Sequence, residues 1–143
     1  MLSKYIKDAS NNFFTNVLGL EINECKTHQF KNMLCSKISI YKNDEIFDFI
    51  FLFKKRTANL ICELLLFEEN PDDDTITDVL KESANLIAGT AKTMLEEYDK
   101  KSSYTLSTPE YLGIIKDTGS LNAGELIPMK VKDNCFVVVI EEN

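Results

Sequence analysis

The sequence predicts a single α/β domain in which a largely antiparallel sheet is covered by long helices. Helical periodicity opens the chain and dominates its centre, while alternating or continuous apolar runs of strand length lie between and after these segments. No Pro/Gly/Ser-rich linker divides the 143 residues, and a hydrophobic content of 44% is enough to bury one core. We therefore expect residues 1–143 to form one domain.

Apolar residues recur at helical spacing in three segments, and Gly19 supplies a stop for the first. In the third segment, acidic residues and a threonine can cap the free N–H groups at the start. The predicted helices are Ser3–Leu18, Thr57–Phe67 and a central helix over Thr75–Tyr98, within the amphipathic stretch that starts at Pro71.

Strand signals fill the remaining chain. Before the second helix they cover Leu20–Lys26, Leu34–Tyr41 and Ile46–Phe53, and the sequence KNDE forms a hairpin turn between the last two. After the central helix they occur in SYTLSTPEYLGIIK, ELIPMKV and CFVVVIE. The last two pieces favour an antiparallel hairpin, and the helices are expected to cover one side of the sheet.

The charge of the chain limits the choice of partners. A net charge of −7 and a pI near 4.8 argue against binding bare nucleic acid or an anionic membrane through a basic surface. No apolar run has the length of a signal peptide core or of a membrane span. We expect a cytoplasmic protein whose partner is a protein with a basic patch.

The cysteines and the one histidine do not indicate a metal site. Cys25, Cys35, Cys62 and Cys135 are scattered without a C-x-x-C pair, and His28 lies in a polar segment. The sequence predicts four reduced structural thiols and a surface histidine.

The two faces of the central helix differ in character. An apolar face consists of Ile76, Leu80, Ile87, Ala91 and Met94, with Ala84 and Leu95 at its edge. A narrow polar stripe almost opposite consists of Asp78, Glu82, Asn85, Gly89 and Glu96. Glycine inside a helix costs roughly 1 kcal/mol against alanine, so Gly89 suggests the close approach of another molecule.

A charged stripe is most simply explained as the solvated side of a surface helix. Glu82 and Asn85 do not make a self-contained hydrolase, since no activated nucleophile accompanies them and Ser107 lacks a base. An Asn amide can nevertheless orient a water molecule, and a carboxylate can pair with a partner's lysine. These residue types suit a positioning site that depends on groups from elsewhere.

The residues resemble the CheX branch of the CheC/CheX/FliY chemotaxis phosphatases, whose signature is D/S-x3-E-x2-N followed by a distant proline. Here the signature is Asp78, Glu82 and Asn85, followed by Pro109. The resemblance also covers KYIKDASNNFFTNVLGLEI, ESANLIAGTAKTML and TLSTPEYLG, so it extends along most of the chain.

The resemblance implies a CheC/CheX-like fold and removal of phosphate from the aspartate of a CheY-like response regulator. Asn85 would orient the attacking water and Glu82 would pair with the regulator's lysine. Asp78, Gly89 and Pro109 would contact the partner. The chain itself would bind no cofactor, the regulator would carry Mg²⁺, and the protein would form a homodimer. The alternative is a noncatalytic adaptor that binds a response regulator or a flagellar-switch component through the same stripe.

Overall fold

The computed structural model describes residues 2–26 and 30–142. The predicted surface position of His28 lies outside these residues. The helices are α1 (Leu2–Asn12), continued by a π-helical segment (Phe13–Val17), α2 (Lys55–Leu66) and α3 (Asp73–Tyr98), with a 3₁₀ turn at Thr118–Ser120. The first helix ends where Gly19 takes a positive φ of 71°, so the predicted stop is confirmed.

The strands are β1 (Ile22–Glu24), β2 (Met33–Lys42), β3 (Glu45–Phe53), β4 (Tyr104–Leu106), β5 (Glu110–Ile115), β6 (Ala123–Val131) and β7 (Asn134–Glu141). Every pairing between them is antiparallel, in the order β1-β6-β7-β3-β2-β4, and β5 pairs with the other half of the same edge of β2. The predicted β2–β3 and β6–β7 hairpins are both present. The antiparallel α/β fold is therefore confirmed.

The near-continuous apolar run of β3 is explained by burial on both faces of the sheet. Phe49, Phe51 and Phe53 point to the side that carries the helices, whereas Ile50 and Leu52 belong to a smaller core on the other side. Connecting segments cover that smaller core with Phe30 and Leu121, and Ile115 at the end of β5 also packs against it. The helices therefore cover one side of the sheet, as expected, while loops close the other.

Helix α3 begins at a well-formed cap, because the Asp72 carboxylate accepts a hydrogen bond of 2.8 Å from the Thr75 N–H. The helix packs on β2 and also contacts α1 and α2. Its buried face is wider than a single stripe for this reason, and it includes Val79, Ser83 and Ala88. Leu95 is buried and Met94 is only partly buried, which reverses the predicted order of these two residues.

The prediction of four reduced thiols is wrong for two of them. Cys25 and Cys135 form a disulfide across a sequence separation of 110 residues, with their Cα atoms 6.0 Å apart. β1 and β7 both pair with β6, and this topology brings the two cysteines together. Cys35 and Cys62 are free and buried. Among the described residues, no helix has both the length and the hydropathy needed to cross a membrane.

Candidate functional site

Glu82 and Asn85 lie on the side of α3 that faces away from the sheet. The Glu82 side chain is exposed and Asn85 is half-buried. Residues three apart on a helix are surface neighbours, with about 5–6 Å between their Cβ atoms. Within the described part of the chain, neither side chain has a hydrogen bond or an ion pair. A carboxylate and an amide therefore stand next to each other with their polar atoms available to a partner.

The opposite side of the same helical turns is fixed in the core. Leu80, Ala84 and Ile87 have no exposed surface, and the Ser83 hydroxyl donates a 2.8 Å hydrogen bond to the Val79 carbonyl oxygen. The backbone that carries Glu82 and Asn85 is consequently held by buried neighbours rather than by a loop. This support holds the backbone of the two residues in a fixed geometry, which a site that positions a water molecule requires.

The carboxylates of the polar stripe are not equivalent. Asp78 lies 4.0 Å from the Lys81 ammonium group, and Glu96 lies 3.1 Å from that of Lys92. Both ion pairs lie within α3, whereas Glu82 has none among the described residues. Of the three carboxylates, Glu82 is the one left for a cation from another molecule.

A groove of about 450 Å³ runs beside Glu82, between the end of α2 and the first half of α3. Asp78 and Glu82 line it together with Glu68, and Leu65 and Leu66 supply its apolar wall. Sequence reasoning did not identify these leucines as part of a site. The only signal was the apolar run LLLF, which continues past the positions that the helix can bury.

Gly89 is half-buried one turn after Asn85. A Cβ atom built on it would meet the Leu106 side chain at 3.9 Å, which is an ordinary van der Waals contact. Alanine would therefore fit within this chain, and the chain's own packing does not require glycine at this position.

Pro109 lies in the connection from β4 to β5, which is fixed to β2 by two hydrogen bonds. The Ser39 N–H donates to the Ser107 hydroxyl at 2.8 Å, and the Ser107 N–H donates to the Ser39 carbonyl oxygen at 2.9 Å. Leu106 approaches Gly89 before this connection, and Tyr111 shares a cavity with Thr77 after it. The two ends of the connection that contains Pro109 therefore lie beside α3.

The described residues offer few other reactive groups at this site. The described residues contain no group of three or more His, Cys, Asp or Glu side chains that could hold a metal ion. The Ser107 hydroxyl is used in the β4–β5 connection, accepting from Ser39 and donating to the Thr108 carbonyl oxygen at 3.3 Å. The arrangement can orient a water molecule and pair with a cation, but it has no activated nucleophile of its own.

The fold recurs in solved structures of low sequence identity. The chemotaxis protein CheX from Vibrio vulnificus is 18% identical with a TM-score of 0.77, over 98% of this chain and 95% of that one. A CheX protein from Desulfovibrio desulfuricans is 19% identical with a TM-score of 0.73, over 98% and 99% of the two chains. A CheX from Borrelia burgdorferi, solved in a complex with CheY, BeF₃ and Mg²⁺, is 19% identical with a TM-score of 0.74, over 99% of each chain. Curated protein sequences gave no significant match.

The molecule therefore belongs to the class of α/β proteins in which helices cover one side of a large antiparallel sheet. The sequence model of the family described as chemotaxis phosphatase CheX matches residues 40–118, which is more than half of the chain. This chain belongs to the CheX family. The matched segment contains all five predicted site residues, from Asp78 to Pro109.

Proposed function

We propose that this protein hydrolyses the aspartyl phosphate of a CheY-like response regulator and thereby ends its signal. The observation that carries the proposal is the pair formed by Glu82 and Asn85, which have no partner among the described residues and stand on a helix face held rigidly from behind. Membership in the chemotaxis phosphatase family supports the same reaction.

In the proposed reaction, the Asn85 amide oxygen accepts a hydrogen bond from a water molecule and holds its lone pair towards phosphorus. The water oxygen forms a new P–O bond while the P–O bond to the aspartate breaks. The aspartate leaves as a carboxylate, and the protons of the water end on the phosphate product or in solvent. Positioning of the water is the main contribution that the reaction requires from this chain. The charge of a phosphoryl transition state is stabilised mostly by the charged groups around it, which the regulator would supply.

Glu82 would pair with the lysine beside the phosphorylated aspartate of the regulator. Its exposure and the negative charge of Asp78 one turn earlier favour the approach of a cation. The regulator would supply the aspartyl phosphate and a bound Mg²⁺, and this chain would hold no cofactor. The Borrelia burgdorferi relative, solved with CheY, BeF₃ and Mg²⁺, supports a partner of this kind.

Asp78, Gly89 and Pro109 would border the contact with the regulator. Asp78 lines the groove next to Glu82, and Gly89 lies beside Leu106, which precedes the connection that contains Pro109. We place the reaction in the cytoplasm and propose a homodimer, whose interface would cover an open edge of the sheet.

The experiment that tests the proposal is a timed measurement of phosphate loss from a purified phosphorylated CheY-like regulator, with and without this protein. Acceleration by catalytic amounts of the protein supports a phosphatase. Binding without acceleration would instead identify a noncatalytic adaptor.

A further inference from the structure

Three apolar side chains are exposed at the end of α2 and on the neighbouring part of α3, and we call them the corner patch: Leu66, Phe67 and Leu86. Phe67 exposes 90% of its surface, Leu66 exposes 49% and Leu86 exposes 40%. Leu66 lines the groove that Glu82 also lines, and Leu86 stands one helical turn after Glu82. The proposed catalytic pair is therefore bordered by apolar surface on the side of α2.

The backbone at Phe67 is also unusual. Its φ of 55° and ψ of 35° place it in the left-handed region, where it ends α2 and its N–H donates a 3.0 Å hydrogen bond to the Glu63 carbonyl oxygen. Glycine or asparagine normally occupies this position, because a bulky side chain is strained there. Neither the helix end nor the core requires an aromatic ring at this site. The ring carries two costs, strain and exposure, and a binding role would explain why a bulky aromatic residue occupies this position.

The charges around the corner patch indicate which kind of molecule could bind there. Glu68, Asp78 and Glu82 line the adjoining groove, and Glu69 and Asp72 follow in the chain. These charges would repel an anionic membrane, and a second copy of the same surface would set like charges against each other. A partner with apolar groups inside a basic rim fits instead. The lysine that Glu82 is proposed to bind would be one member of that rim.

We propose that the corner patch docks on the receiver domain of the response regulator, with the Phe67 ring as its main apolar anchor. This inference rests on the proposed function, because it takes the partner from it and places the contact beside the same pair of residues. The ring lies on the α2 side of Glu82, whereas the water is held by Asn85. Docking through Phe67 therefore contributes affinity and does not take part in the chemical step.

The variant Phe67→Gly separates docking from folding, because it should weaken binding to the regulator without lowering the stability of the fold. Glycine relieves the strain at the left-handed position, so the variant should have a Tm at or above that of the wild type. Loss of the ring should weaken binding to the regulator loaded with BeF₃⁻ and Mg²⁺ by about tenfold or more. With phosphorylated regulator, KM should rise by a similar factor while kcat stays within about twofold.

Tyr98→Ala is a suitable control. Tyr98 is another aromatic residue of the helical layer, 63% exposed, and it lies 16 residues after Glu82, or about 24 Å along α3. Its removal should change neither affinity nor KM. Unchanged affinity in Phe67→Gly, or a loss no larger than in Tyr98→Ala, would overturn the docking inference while leaving the phosphatase proposal intact. If the wild type binds the regulator through Phe67 but does not accelerate phosphate loss, the docking inference stands and the phosphatase proposal fails.

Discussion

The Leu106 side chain lies 3.9 Å from the place that a Cβ atom on Gly89 would occupy. Alanine at position 89 would therefore make a normal contact and would remove the helical cost of glycine. We expect Gly89→Ala to raise the free energy of unfolding by up to about 1 kcal/mol, as measured by urea denaturation.

The same substitution should impair regulator-dependent phosphate release if the partner approaches the helix closely at this position. Stability and activity would then move in opposite directions, which excludes misfolding as the cause of lost activity. A variant that is more stable and fully active would remove Gly89 from the proposed contact.

The open edges of the sheet are the reason for a prediction about the oligomeric state. β5 lies at one edge with Leu112 and Ile114 exposed, and we expect a homodimer to cover such an edge. Sedimentation velocity or light scattering across the micromolar range should give twice the mass of the chain. A constant monomer mass over that range contradicts a stable dimer.

The disulfide should contribute strongly to stability, because it closes a separation of 110 residues in the unfolded chain. Reducing the Cys25–Cys135 bond is expected to lower the free energy of unfolding by about 2–4 kcal/mol. Urea denaturation with and without reductant measures the difference. The double variant Cys25→Ala/Cys135→Ala provides the control, since its stability should not respond to reductant. A wild type that is equally insensitive would contradict the prediction.

The buried Cys35 thiol is expected to lower the free energy of unfolding at alkaline pH. Burial, with Glu141 nearby, raises its pKa from 9.0 to about 12. The unfolded chain therefore releases this proton near pH 9, while the folded protein keeps it until about pH 12. The contribution of the neutral thiol is complete below pH 9 and is lost as the pH rises towards 12, with a slope of up to about 1.4 kcal/mol per pH unit.

Denaturation curves of wild type and Cys35→Ala, collected from about pH 8 to about pH 11, isolate this slope. The substitution leaves a cavity and lowers stability at about pH 8, where the thiol is neutral in both states, but the variant should show the shallower fall as the pH rises. Parallel pH profiles for the two proteins would show that the thiol does not cause the loss.

The periodicity of α3 was sufficient to predict which way its polar stripe faces. Steps of three and four residues return to the same side of a helix, and Glu82 and Asp78 are exposed as expected. The reversal of Met94 and Leu95 was not predictable in the same way. It depends on how α3 packs between its neighbours, which periodicity alone does not contain.

The disulfide and the corner patch were missed for related reasons. Cys25 and Cys135 are far apart in sequence and meet only because both flanking strands pair with β6. Phe67 was predicted as the last residue of a helix, whereas it ends α2 in the left-handed region and points its ring to solvent. Both features follow from tertiary contacts and backbone conformation rather than from the local pattern of apolar residues.

The central claim is that Asn85 orients the attacking water while Glu82 holds the partner's lysine. The most direct measurement is the rate of phosphate release from a phosphorylated CheY-like regulator, together with regulator affinity, for Asn85→Ala and Glu82→Ala. Glu96→Ala is the matched control, because Glu96 belongs to the same stripe but pairs with Lys92. Each variant is first shown to be folded.

We predict that Asn85→Ala slows phosphate release about a hundredfold or more while regulator affinity stays nearly unchanged, that Glu82→Ala lowers both, and that Glu96→Ala lowers neither. An Asn85→Ala protein that releases phosphate as fast as the wild type would contradict the proposed mechanism.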